Sequence, residues 1–146
     1  MELKDKTIII TGASSGIGAA AAMLFAAQGS NLVLGARRTA ELEHICGQIR
    51  QSNGSAMALA GDVSDDGYAQ ALVDLAIEAY GGLDGAFNNA GIMGDMGPVG
   101  DMSIENWNSV IETNLTSAFY AAKAQVPALV KRGGGSILFT SSFVGY

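Results

Sequence analysis

Residues 11–18 read Thr11-Gly12-Ala13-Ser14-Ser15-Gly16-Ile17-Gly18 and directly follow the apolar run Thr7-Ile8-Ile9-Ile10. Glycine lets a backbone turn tightly and lets a diphosphate approach without meeting a Cβ atom. Where such a turn opens a helix, the unpaired first-turn N–H groups and the positive end of the helix dipole stabilise phosphate charge. Glycines at 12, 16 and 18, between a strand and a helix, therefore point to a bound nucleotide diphosphate. No Lys-Ser or Lys-Thr pair follows them, which excludes the phosphate loop of nucleotidases. A second charged spot closes the next apolar run at Ala36-Arg37-Arg38, where a guanidinium could grip an anion.

Such residues need a frame, and the chain supplies one by alternating apolar runs with helical-period segments. The first strand is Thr7–Thr11. A helix from Ile17, with Ala20, Ala21, Leu24 and Phe25 on one face, stops at Gly29. The second strand is Asn31–Ala36, followed by a helix capped by Thr39 with Leu42, Ile45 and Ile49 inward, closing at Ser52-Asn53-Gly54. An alanine-rich third strand spans 55–61, and Ser64 with Asp65 and Asp66 opens a helix carrying Leu72, Val73, Ala76, Ile77 and Tyr80. The fourth strand covers 83–88. Ser103 caps a long helix over 103–131 with Trp107, Ile111, Leu115, Phe119 and Ala122 facing inward, and a fifth strand covers 136–141. This alternation implies an α/β fold: a doubly wound parallel sheet with right-handed crossovers. A phosphate loop after the first strand favours the order 3-2-1-4-5, with the ligand crevice between strands 1 and 4.

Composition agrees with one domain over residues 1–146. Hydrophobic residues make up 49% and charged residues 15%, a globular balance. The net charge of −6 argues against nucleic acid or an anionic membrane as partner. No apolar stretch approaches a membrane span, and the single Cys46 precludes an internal disulfide, so a soluble cytoplasmic protein is expected. His44 reads as a surface residue, Cys46 and Trp107 as packing, and no metal site is expected. Residues 92–102, with Met93, Met96 and Met102, read either as an adaptable apolar wall or as a plain irregular loop. Ile137, Leu138 and Phe139 have the pattern of a strand buried on both faces, yet as the last strand they would form a bare sheet edge. The expectation is a domain cut short on its C-terminal side.

Taken together, the glycine loop, Gly61-Asp62-Val63, Asn88-Asn89-Ala90-Gly91, Asn114 in the long helix and Thr140-Ser141-Ser142 resemble the N-terminal portion of the short-chain dehydrogenase/reductase family. The resemblance runs through the whole chain and implies a Rossmann fold and hydride transfer between a nicotinamide and a small-molecule carbonyl or alcohol. It implies cofactor contacts from Gly12, Ser14, Ser15, Gly16, Ile17 and Gly18, and from Asp62 and the Val63 backbone at the adenine edge. It also implies contacts from Asn89, Ala90, Gly91 and Thr140 near the ribose, with Asn114 holding a relay water and Ser142 meeting the substrate carbonyl. Competing local readings are a turn-shaping Asp62 and an Asn114 that merely perturbs its helix. A homo-oligomer, dimer or tetramer, is implied through the long helix.

Cofactor choice follows from local charge. Enzymes that prefer NAD end the second strand with a carboxylate that binds the ribose hydroxyls. Here Ala36 holds that position and Arg37 and Arg38 follow, so NADP is expected over NAD, with Arg37 on the 2′-phosphate. The missing carboxylate also speaks against a methyltransferase. At about 4 Å and an effective dielectric near 20 a charge pair is worth about 4 kcal/mol before desolvation, and about 1.4 kcal/mol suffices for tenfold discrimination. The family's proton donor is a tyrosine with a lysine four positions later. No Tyr-x-x-x-Lys pair occurs in this sequence: Tyr120 and Lys123 have the wrong spacing, and Tyr146 stands too close to Ser142. The chain alone is therefore expected to bind a dinucleotide with at most trace turnover, and a non-catalytic binding module is the alternative.

Overall fold

The computed structural model describes residues 3–142, so Tyr146 lies outside the described residues. The elements run β1 (Thr7–Thr11), α1 (Gly16–Ala27), β2 (Asn31–Ala36), α2 (Thr39–Gln51), β3 (Ser55–Ala60), α3 (Tyr68–Tyr80) and β4 (Gly85–Asn88). There follow a short 3-10 turn (Val99–Asp101), α4 (Ile104–Ile111), a π-turn (Glu112–Thr116), α5 (Ser117–Arg132) and β5 (Ser136–Phe139). All strand pairs are parallel and the sheet order is β3-β2-β1-β4-β5, as the alternation implied. Chain order reverses direction between β1 and β4, which opens a crevice beyond the carboxyl ends of those strands.

Side-chain alternation along β1 divides the core. Ile8 and Ile10 point to the face covered by α1 and α2, where they meet Ala22, Leu34, Leu42, Cys46 and Ile49. Ile9 points to the other face, with Val33, Leu72, Val73 and Ala76, and with Ala124 and Leu129 of α5. Cys46 is buried and His44 exposed; burial pushes the Cys46 thiol up, as suits a packing residue.

Several local expectations need correction. Thr39 is the first residue of α2 rather than its cap; Arg38 holds the cap position and makes no side-chain cap bond. Ser64 does not open α3: it belongs to the turn after β3, where its N–H and hydroxyl both donate to Asp62 Oδ1, at 3.0 and 2.8 Å. Gly67 N–H likewise donates to Asp65, and the helix starts only at Tyr68. Ala20 and Leu24 face outward on α1, which is apolar all round, so periodicity could not select its inner face. Ile77 is 41% exposed.

The long helix departs furthest from expectation. Ser103 does cap it, accepting from Asn106 N–H at 3.0 Å, but the π-turn interrupts it. Trp107, read as core, is 60% exposed, and Leu115 and Phe119 also face solvent. The inward residues of α5 are Ala121, Ala124, Gln125 and Leu129. Small alanines permit close approach to α3 and the sheet, which sends the bulky apolar residues outward.

Candidate functional site

The glycine loop owes its shape to contacts that exclude a side chain. Gly12 has φ +66°, and a Cβ there would lie 3.0 Å from the Ala90 backbone. A Cβ on Gly18 would run into the Gly12 carbonyl, so α1 packs directly on the loop it follows. Gly16 has φ +56° and faces open space. Ser15, at the N-cap of α1, makes no side-chain cap bond. The helix opening therefore keeps donors unclaimed by a cap, as an anion site requires.

Next to the loop, Arg38 Nη2 donates to Ser15 Oγ at 2.7 Å and to Ser14 Oγ at 3.1 Å. Arg37 instead reaches toward Asp62, with Nη1 4.0 Å from Oδ2. The Ser64 N–H, with help from the Ser64 hydroxyl and Arg37, holds the Asp62 carboxyl below its ordinary range despite some burial. Asp62 thus shapes the turn after β3 and also faces an arginine beside the loop. Under this corner Tyr68 donates to the Leu59 carbonyl at 2.6 Å, and burial pushes its phenol up to about 12. A Cβ on Gly61 would collide with the Tyr68 ring, so only glycine fits there.

The Asn88-Asn89-Ala90-Gly91 turn is tied to β1. Thr11 Oγ1 accepts from the N–H groups of Asn89 and Ala90 at 3.1 and 3.2 Å. The Asn89 amide donates to the Thr11 carbonyl at 3.3 Å and accepts from the Thr140 hydroxyl at 3.0 Å. The ends of β1, β4 and β5 are joined by this network. Beyond the turn, Asn114 clamps the Ile92 peptide, accepting from its N–H at 2.9 Å and donating to its carbonyl at 2.7 Å. Asn114 sits inside the π-turn, so both readings of this residue, helix perturber and site residue, describe the same place.

Two adjoining cavities result. One, of about 350 Å³, is lined by Gly12, Ser14, Ser15, Arg37, Arg38, Asp62, Val63, Asn89, Ala90 and Gly91, together with Ala36, Gly61, Ile92 and Thr113. The other, of about 540 Å³, is lined by Ile17, Asn89, Ala90, Gly91, Asn114, Thr140 and Ser142, together with Ile92, Met93 and Ser141. Gly16 and Gly18 line neither; they shape the loop from its tip and from behind. The sequence reading did not single out Thr113 and Ser141, and nothing in their types distinguishes them; Ile92 and Met93, from the segment read as an apolar wall or an irregular loop, border the second cavity. Both arginines named from the sequence border the first cavity, and it is Arg38 that lies on the loop serines. The first cavity is bordered by the glycine loop at the start of α1 and by two arginines, so the residues present fit a dinucleotide. Fold and site together define a dinucleotide-binding doubly wound domain.

Comparison with known proteins narrows this class. The short chain dehydrogenase family profile matches residues 6–146. An uncharacterised oxidoreductase of Listeria innocua is 42% identical over 145 residues, covering 99% of this chain and 58% of that protein. A 3-ketoacyl-ACP reductase structure from Sinorhizobium meliloti superposes with a TM-score of 0.90 at 38% identity, over 93% of this chain and 53% of that one. An NAD+-bound xylitol dehydrogenase gives a TM-score of 0.94 at 29% identity, over 99% of this chain and 56% of its own. The chain belongs to the short-chain dehydrogenase family. It spans little more than half the length of these relatives. Among the described residues no helix is long and apolar enough to cross a membrane.

Proposed function

We propose that this chain is the cofactor-binding portion of an NADP(H)-dependent oxidoreductase acting on a carbonyl or alcohol. The observation that carries the reading is the convergence of the glycine loop, both arginines, Asp62 and the Asn89–Gly91 backbone on one cavity. Backbone donors at the start of α1 hold the diphosphate. Asp62 and Val63 meet the adenine edge, and Asn89, Ala90 and Gly91 line the ribose. NADP is favoured over NAD because Ala36 leaves no carboxylate to repel a 2′-phosphate, while Arg37 and Arg38 both border the cavity. Xylitol dehydrogenase, a structural neighbour, carries NAD+, so the family by itself leaves this choice to local charge.

When bound, the nicotinamide supplies or accepts the hydride. Ser142 would donate a hydrogen bond to the substrate oxygen, and Asn114 would steady a water near the proton path; both border the second cavity. A second reading is binding without chemistry, by a dinucleotide-holding module. Ile104, Trp107, Phe119 and Val130, all exposed on α4 and α5, support a homo-oligomer, dimer or tetramer, through that face. The single, buried Cys46 suits a cytoplasmic setting.

Fluorescence titration with NADPH and NADH, alongside an activity assay on mixed ketones, tests these statements. Tighter binding of NADPH is expected. No affinity for either dinucleotide overturns the proposal, whereas binding without turnover selects the second reading.

A further inference from the structure

The turn over residues 88–92 is held at both ends by amides from one helical run. Asn114 grips Ile92 at its far end. At its near end the Gln125 and Asn88 amides bond reciprocally: Asn88 Nδ2 donates to Gln125 Oε1 at 2.8 Å, and Gln125 Nε2 donates to Asn88 Oδ1 at 2.9 Å. Gln125 is 1% exposed and stands between Ala121, Ala124 and Leu129 on the packed face of α5. Burying an amide is costly unless it is bonded, and an apolar residue would fill the same space without that requirement. Packing alone therefore gives no reason for a glutamine here. The orientation of Asn88 does, because Asn88 ends β4 and its carbonyl accepts from Thr140 N–H at 3.0 Å.

We infer that Gln125 is a positioning residue: by fixing the Asn88 amide it sets the backbone of Asn89, Ala90 and Gly91 for the dinucleotide. The inference rests on the cofactor reading proposed above. Gln125 borders neither large cavity; it lines a small one with Asn88, Ala90, Asn114 and Thr140, and its side-chain amide bonds go to Asn88.

The test titrates the full 146-residue chain and two variants with NADPH, with melting temperature measured in parallel. Gln125→Leu keeps the bulk but strands the Asn88 amide, and a loss of about tenfold in affinity is expected. Gln125→Glu guards against a variant that fails to fold. Its protonated acid can donate to Asn88 Oδ1 and accept from Nδ2, reproducing the native pair, whereas its carboxylate cannot donate. Burial favours the protonated form at mildly acidic pH. Relative to wild type at the same pH, Gln125→Glu should bind NADPH nearly normally at about pH 5.5 and about tenfold more weakly at about pH 8.5. Tyr68 is the titratable residue bordering the small cavity that Gln125 lines between α3, α5, β4 and β5. Its phenol, at about 12, stays neutral throughout. Variants that melt lower yet bind NADPH like wild type at both pH values would reduce Gln125 to a core hydrogen bond and overturn the inference. Failure of the wild-type chain to bind NADPH would instead overturn the cofactor reading, and this inference with it.

Discussion

On the face that carries α1 and α2, Ile10, Leu32 and Leu34 are wholly buried, while Leu138 of β5 is 59% exposed and Phe87 of β4 only half-buried. These are residues of the same kind, on strands of the same sheet. The first group lies beneath two helices; β5 has no helix over it on that side among the described residues. The opposite face repeats the contrast within α5, where Ala121 and Ala124 are packed and Phe119 and Val130 are not. Apolar character is written in the chain, but coverage belongs to the neighbours. The β3-β2-β1 side holds its own core and the phosphate loop. The β4–β5 side offers surfaces that fit a partner or further chain.

The loop gives the sharpest way to break this contrast. Gly18→Ala would drive a Cβ into the Gly12 carbonyl and push α1 off β1. NADPH affinity measured by titration should fall about 100-fold, with a lower melting temperature. Retained affinity would mean that the covered side tolerates slack where the packing shows none. On the uncovered side, Phe119→Glu should weaken self-association about 30-fold if the outward face of α4 and α5 is an interface, as read by sedimentation. An unchanged sedimentation profile would leave that face as plain solvent-exposed surface.

The two sides were also unequally legible. β1 and β2 were readable to the residue, because runs such as Ile8-Ile9-Ile10 and Leu32-Val33-Leu34 are buried on both faces of a parallel sheet and leave no choice of side. The long helix was recognisable as a helix, and its apolar stripe was visible. Its direction was not, since periodicity marks a face without saying what covers it. The start of α3 was obscured because Ser64, which has a cap's residue type, sits instead in a turn closed on Asp62, and the helix begins four residues later at Tyr68. For the site, the glycines and the Asn88-Asn89-Ala90-Gly91 turn declared themselves by type and spacing. Gln125 left a fainter trace, one polar residue at an inward helical position, and its meaning depends on Asn88, 37 residues away.

Charge reversal at the end of β2 probes the covered side more gently. Arg37→Asp replaces a guanidinium with a carboxylate directly after Ala36, the position where NAD-preferring relatives of this fold carry their acid. The ratio of NADPH to NADH affinity should fall by at least about tenfold. Arg38→Ala, which frees the Ser14 and Ser15 hydroxyls, separates the roles of the two guanidiniums. A larger shift from Arg38 than from Arg37 would move the phosphate contact to the arginine lying on the loop.

The smallest effect is expected at the seam joining the two sides. Asp84 accepts from Thr7 N–H at 3.0 Å and from Arg132 Nε at 3.3 Å, with Lys6 Nζ at 3.6 Å. Its own N–H donates to the Thr7 carbonyl, and its carbonyl accepts from Ser136. One residue therefore ties β1 to α5 and β5. Burial opposes its charge, but Thr7, Arg132 and Lys6 outweigh that and hold its carboxyl below the usual range. A lowered folded-state value means the carboxylate stabilises the fold above the ordinary Asp value of about 3.9, and that this contribution fades as pH falls through the folded value. Asp84→Asn should lower the melting temperature by about 5 °C at pH 7. The gap should narrow in acid, as pH falls through the folded-state value and wild type also loses the charge. A gap that persisted unchanged in acid would assign the seam to hydrogen bonding and packing, with no share for the ion pairs linking the two sides.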